Sequence, residues 1–478
     1  MRTVVRTFLA ATLLVAGCSS APSDEEEPAG PLGIEWHECA DAVGIGLPTK
    51  HRCGTLTVPR DHADRTGPAL GLGVLQVWPA DHPDSDQTAL TVGFDPGEPR
   101  QAPGDVHLLA ELIGVAVAVL TPRGVGEDGG TPLGCPELEG VGADTMGRPD
   151  SETATRFGSA VAACHDRLVG DGVDLDLFGT DDLAADVEDL RAALEVDQWH
   201  LLMSYGGMSR ISDAYVAAHP DRVRAVVQDS PAGPTVSTVK AAADGFRSAL
   251  QALFEECADD PTCARRYPGL AADWDLALER TAARPLAGRV AAGDVLVDAS
   301  RLVRGVHAML GEGPGAIGDL PRVISLAAEG RLHPALASQS AGDPDLCLGV
   351  RPTCVGPTSS IGAFLSQVCA EDGSQVDETD PMHRDVFTDA LAGACETWDV
   401  EETPLPPAPA VPTLVITGHL DAWSRPEWFD DPLVVRGARH DVASSATCVL
   451  DVRNPWIADP STEPDHGPCD TEPFPQWD

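Results

Sequence analysis

Hydrophobic and polar positions along this chain change rhythm three times. From about residue 33 the apolar residues come in short β-like runs separated by turns: "CGTLTVPRDH", "ALGLGVLQVWPA", "ALTVGFDPGEP" and "VAVAVLTPRGVGED". The run from Val115 to Leu120, closed by Thr-Pro-Arg-Gly, has the length and β-branched content of a buried strand. In "TDDLAADVEDLRAALEVD" Leu183, Val187, Leu190 and Leu194 recur at helical spacing, behind a Thr/Asp start that can cap the helix. A strand over 198–203, a helix over 207–218 and a further buried strand in "RVRAVVQDSPA", ending at Asp229, complete the series. Strands alternating with helices predict an α/β protein with a mostly parallel sheet, and ligands then gather at the carboxyl ends of its strands.

Residues 235–400 lose that rhythm. They hold Ala-rich helical stretches such as "VKAAADGFRSALQALFEEC" and "ADWDLALERTAARP", and no clear βαβ unit. The strand pattern returns at "PTLVITGHLDAWSRP". The expected organisation is therefore a core in two parts, 33–234 and 401–478, with 235–400 inserted as a helical cap. No repeat of solenoid period is present.

At 478 residues and 43% hydrophobic, the chain can bury a large core. A formal net charge of -43 excludes phosphate-backbone binding as a function, because such binders need basic patches to displace counterions. It also speaks against an electrostatic attachment to anionic lipid. The N-terminus "MRTVVRTFLAATLLVAGCSS" has arginines at 2 and 6, an apolar segment short for a bilayer span, and small residues ending at Cys18. That is the pattern of an export signal. Leu14-Val15-Ala16-Gly17-Cys18 resembles the lipobox of bacterial lipoproteins, in which the cysteine is acylated and becomes the mature N-terminus; an ordinary cleaved signal is the alternative. Residues 19–32, acidic and proline-bearing, read as a tether. The expected location is the outer face of the cytoplasmic membrane, held by the lipid anchor only.

Thirteen cysteines less Cys18 leave twelve, an even number in an exported chain where disulfides persist. Sequence does not fix connectivity, but pairing neighbours suggests Cys39 with Cys53, Cys135 with Cys164, Cys257 with Cys263, Cys347 with Cys354, Cys369 with Cys395, and Cys448 with Cys469. No C-x-x-C pair or H-E-x-x-H motif occurs, so neither a metal nor a cofactor is expected.

The candidate chemistry centres on "QWHLLMSYGGMSRI". Ser204 follows an apolar run and precedes a glycine pair and a helix, the setting in which a sharp turn presents a serine nucleophile and aims the next N–H, that of Tyr205, at an oxyanion. The usual pattern is G-x-S-x-G, and here Leu202 stands at the first glycine. Serine needs a histidine to take its proton and a carboxylate to orient that histidine. In the chain order Ser, Asp, His, the acid is Asp421 after "LVITG", with Asp229 as competitor, and the histidine is His440 in "RGARHDVASS", preferred over His419, which precedes the acid too closely.

On these segments the chain resembles the α/β-hydrolase lipoproteins of the prolyl-aminopeptidase and tripeptidyl-aminopeptidase-like group of serine peptidases. "EWHECADA" with "HRCGTLTVPRDHAD", "TPRGVGED", "TDDLAADVEDLRAAL", "SYGGMSRISDAYVAAHPDRVRAVVQDSPA", "VPTLVITGHLDAWSRP" and "RGARHDVASSATC" carry the likeness over nearly all of the mature chain. The resemblance implies an α/β-hydrolase fold, a triad of Ser204, Asp421 and His440 beneath the cap, and cleavage of short peptides from a free N-terminus, or of esters; a monomer is expected, though nothing in the sequence fixes the oligomeric state. It also implies an oxyanion loop at "DPGEPR", with Gly97 and Glu98 beside Tyr205, where the family has a glycine-rich N-P-G-G-P-G. Departures cluster at the site: Glu98 and Arg100 replace glycines, Leu202 replaces the elbow's first glycine, and Arg439 stands where a small residue usually precedes the histidine. Losing one oxyanion donor typically costs about 100- to 1,000-fold in turnover. An altered hydrolase is thus the first expectation, and a binding lipoprotein that has lost catalysis the second. Glu371 and Asp372, beside Cys369, are candidates to hold a substrate ammonium group.

Overall fold

The computed structural model describes residues 33–39, 50–92, 103–126, 130–311, 314–341, 360–371, 386–469, 474 and 476–477. In chain order the strands are β1 (Gly33–His37), β2 (His51–Pro59), β3 (Ala69–Val77), β4 (Thr88–Val92), β5 (Ala116–Leu120), β6 (Leu201–Tyr205), β7 (Val226–Asp229), β8 (Leu286–Val290), β9 (Gly293–Val297), β10 (Thr413–Gly418) and β11 (Leu433–Val435). Nine of these make one sheet among the described residues, in the order β1-β2-β3-β5-β4-β6-β7-β10-β11. From β5 to β11 every neighbouring pair is parallel, while β1, β2 and β3 form an antiparallel edge. Crossing over between β5, β4 and β6 places β7 beside β6, with β10 and β11 following in parallel, so their carboxyl ends share one rim.

The central strands are short and buried on both faces, as parallel strands between helical layers must be. Every residue of β5 and of β7 is buried. On β6 the faces alternate: Leu201 and Met203 pack with Val227, Leu414 and Ile416, whereas Leu202 packs with Leu90, Ile211 and Tyr215. Leu183, Val187 and Leu190 of the helix Thr180–Ala193 line the second of these layers. Its cap differs from the sequence expectation: Gly179 is the N-cap, and Thr180 is the first helical residue, with Asp181 and Asp182 placed against the positive end of the helix.

Between β7 and β10 the regular elements among the described residues are helices apart from one antiparallel hairpin, β8–β9. The all-helical expectation missed it because "PLAGRVAAGDVLV" is a short alternating stretch between longer Ala-rich ones; its turn closes on Gly293, at φ 150°. Disulfides join Cys39 to Cys53, Cys135 to Cys164, Cys257 to Cys263, Cys369 to Cys395, and Cys448 to Cys469. Cys18, Cys347 and Cys354 lie outside the described residues. Among the described residues no helix is long and apolar enough to cross a membrane.

Candidate active site

Three loops converge at the rim. The first follows β10, where Gly418 ends the strand; a Cβ there would lie 2.5 Å from the carbonyl oxygens of both Ala438 and Arg439, so the close approach of the two loops requires glycine. Three residues on, Asp421 is 2% exposed. Its Oδ1 accepts from the backbone N–H of Trp423 at 2.9 Å and of Ser424 at 3.0 Å, and lies 2.8 Å from His440 Nδ1. A carboxylate already accepting two N–H groups accepts a third from the ring, which leaves Nε2 as the basic nitrogen. Burial pulls the His440 pKa down, but the charge of Asp421 and the hydrogen bond to it outweigh burial, and the imidazole is held above its ordinary value.

The loop carrying His440 is fixed from β7. Asp229 Oδ1 accepts from the Val442 N–H at 3.0 Å and Oδ2 from that of Ala443 at 2.8 Å, and Ser230 Oγ accepts from the Asp441 N–H at 3.1 Å. Asp229 thus holds the loop instead of the ring; burial raises its pKa to about 6 against those bonds. Arg439 is tied to the end of the helix Ala299–Gly311, its Nε donating to the Gly311 carbonyl at 2.9 Å. His419 lies 3.6 Å from Glu256, off the site.

The third component is the end of β6. The strand runs two residues past the expected 203, to Tyr205, and the chain then turns through Gly206, at φ 51°, into a 3-10 turn (Gly206–Met208) and the helix Ser209–Ala218. Because Ser204 falls on the Leu202 face of the strand, its side chain enters the layer beneath the sheet and is 7% exposed. Ser204 Oγ lies 3.0 Å from Ser212 Oγ. Ser212 already donates to the Ser209 carbonyl at 2.8 Å and accepts from Gln228 Nε2 at 3.4 Å, so the shared proton is that of Ser204. No hydrogen bond joins Ser204 to His440. The structure therefore brings Asp421 and His440 together and does not bring Ser204 to them. Leu202 needs no small side chain, since it sits mid-strand in the core and not in the turn.

Tyr205 packs its ring 5.0 Å from the His440 ring, centroid to centroid. Gly97, Glu98, Arg100 and Asp372 lie outside the described residues. Glu371 is buried, with its carboxylate on the Thr238 N–H and hydroxyl and 3.4 Å from Arg210 Nε. It anchors the start of the helix Thr238–Asp259 to the elbow helix, a commitment that leaves little for a substrate ammonium group. Sequence reasoning missed His307, 3% exposed on the helix Ala299–Gly311, with ring centroids 5.1 Å from Phe246 and 5.0 Å from Trp423. Burial, aided by the neighbouring His440, lowers its pKa to about 4, so it is neutral. The available signal was its place in the apolar stripe Val303, His307, Leu310.

A mostly parallel sheet of this strand order, with a buried acid–histidine pair at the carboxyl rim, is the arrangement of the α/β-hydrolase fold. In sequence the chain is similar to serine peptidases. It is similar to the serine protease Hip1 of Mycobacterium tuberculosis, 27% identical over 280 residues, 53% of this chain and 51% of that one. It is similar also to the tripeptidyl aminopeptidase of Streptomyces lividans, 30% identical over 222 residues, 42% of this chain and 39% of that one. The chain thus spans about half the length, or less, of the curated relatives it matches. Among solved structures it overlaps a serine hydrolase from Cycloclasticus zankles at a TM-score of 0.34 and 10% identity, covering 86% of this chain and 99% of that one. No protein-family model matches.

Proposed function

We propose that this chain acts on short peptides bearing a free N-terminus, or on esters, as an exported, lipid-anchored monomer of the serine-hydrolase class. His440 would be the base and Asp421 the acid that orients it, with the helical region 235–400 as a cap. The observation that carries this reading is the buried Asp421–His440 pair, 2.8 Å apart at the strand ends, because so much backbone is committed to holding an imidazole with a free basic nitrogen. The similarity to a serine protease and a tripeptidyl aminopeptidase supports the substrate class. Release of chromophore from tripeptide anilides and from short nitrophenyl esters tests it, with loss in His440→Ala as the expected control. Turnover that survives His440→Ala would count against it. Labelling with a fatty acid, lost in Cys18→Ala, tests the anchor.

A second reading, a binding protein without turnover, is favoured by one observation: the Ser204 proton is given to Ser212 and not to His440. Calorimetric binding of an unmodified tripeptide, with no product formed, is the result it expects.

A further inference from the structure

We infer that Gly206, and not Ser204, occupies the nucleophile position of this site, so that the site holds its peptide or ester ligand without forming an acyl-enzyme. The inference rests on the reading of His440 and Asp421 as the acid–base half of a hydrolase-type site and, of the two readings above, takes up the second, binding without turnover; three independent observations carry it.

The first is the path of the backbone. A nucleophile elbow places the reactive residue at the sharp, strained turn between strand and helix. Tyr205 is still extended, at φ -136° and ψ 137°, and the residue with left-handed backbone is Gly206, at φ 51°. Ser204 lies inside β6 and is not among the residues with positive φ. The second is direction and distance. A Cβ built on Gly206 would lie 3.4 Å from His440 Nε2 and 3.9 Å from its Cε1, with no further contact within 4 Å among the described residues. A side chain at this position would therefore meet the basic nitrogen at ordinary contact distance and little else. The third is the Ser204 hydroxyl itself, whose single proton goes to Ser212 on the far side of the strand. By alternation along a strand, no small rotation of the Ser204 side chain carries it from the Leu202 face to the rim.

The consequence is chemical. Among the described residues His440, oriented and raised in basicity, has no nucleophile hydroxyl to deprotonate, and the N–H that follows the turn is that of Gly207. The pair is kept while the atom that would bond to the substrate carbonyl is absent, which makes the site a receptor for what such a hydrolase would cleave.

The test is a gain of function in the full-length protein. Gly206→Ser places a hydroxyl beside His440 Nε2; a fluorophosphonate should then label residue 206, as its Oγ bonds to phosphorus, fluoride leaves, and the hydroxyl proton passes to His440. The expected result is no label on the unaltered protein, label at residue 206 in Gly206→Ser, retention of that label when Ser204→Ala is added, and its loss with His440→Ala. Label at Ser204 of the unaltered protein overturns the inference while leaving the proposed hydrolase site standing. Absence of label in a folded Gly206→Ser protein overturns both. Should the left-handed position not tolerate serine, the histidine NMR titration of the unaltered protein decides: Ser204→Ala should leave the His440 titration where it was, and a shift of half a pH unit or more would place Ser204 against the ring and overturn the inference.

Discussion

The acid–base half of the site and the elbow half are built from neighbouring strand ends, yet the first is held by many bonds and the second offers no reactive atom to the rim. Asp421 accepts two backbone N–H groups and the imidazole, Asp229 ties the histidine loop through two more N–H groups, and Gly418 lets the loops touch. At the end of β6, by contrast, the hydroxyl is directed into the sheet–helix layer and the turn is a glycine. Loops can be tied down one hydrogen bond at a time, but a side chain on a strand inherits its direction from position alone. An imidazole can thus be well placed beside an elbow that has nothing to give it.

Four changes bear on this contrast, beyond the gain of labelling at position 206. The largest effect is expected from Gly418→Ala, whose Cβ would meet two backbone oxygens at 2.5 Å; overpacking against backbone should cost about 3 kcal/mol or more in urea unfolding. It should also abolish the low-field Nδ1 proton signal of His440, and survival of that signal would show that the acid–base half does not depend on the loop contact. Next is the pH response of His307. Its folded pKa of about 4 lies below the ordinary 6.5, so the neutral ring is the form the fold accepts: the associated stability is present above pH 6.5 and lost as pH falls toward 4, on the order of 3 kcal/mol. His307→Phe should lose less stability than the unaltered protein over that window; an equal loss would reject the assignment.

A smaller effect is expected from Asp229→Ala, which leaves the Val442 and Ala443 N–H groups without their acceptor and should cost about 2 kcal/mol. Hydrogen exchange at those two amides should speed up, and unchanged exchange would mean that Asp229 does not hold the histidine loop. The smallest belongs to Ser204→Ala, which removes one buried hydrogen bond and should cost about 1 kcal/mol in chemical denaturation. A cost near zero would say that the bond to Ser212 does not restrain the hydroxyl.

How much of this was readable beforehand depended on the kind of signal. The buried runs at Val115–Leu120 and in "RAVVQD" announced strands because nothing else packs so many apolar residues between turns. Asp421 and His440 were findable because each follows a strand late in the chain, and sheet topology sends such positions to one rim. Glu371 read as a candidate to hold a substrate ammonium group, yet it is buried against Arg210 and Thr238, contacts more than 130 positions away in the chain. His307 carried no motif at all.

Residue types and their periods alone determined that this chain folds as a mostly parallel α/β sheet with a largely helical insertion, and that a hydroxyl, an imidazole and a carboxylate stand close to the right strand ends. Only the tertiary structure decided which residue of "MSYGG" makes the turn. Side chains on a strand change face at every residue, so a strand that runs two residues further than expected leaves Ser204 within its length and brings Gly206 to the imidazole. Composition cannot set that end point; the pairing of Ser204 with Gln228 and of Tyr205 with Asp229 on the neighbouring strand does.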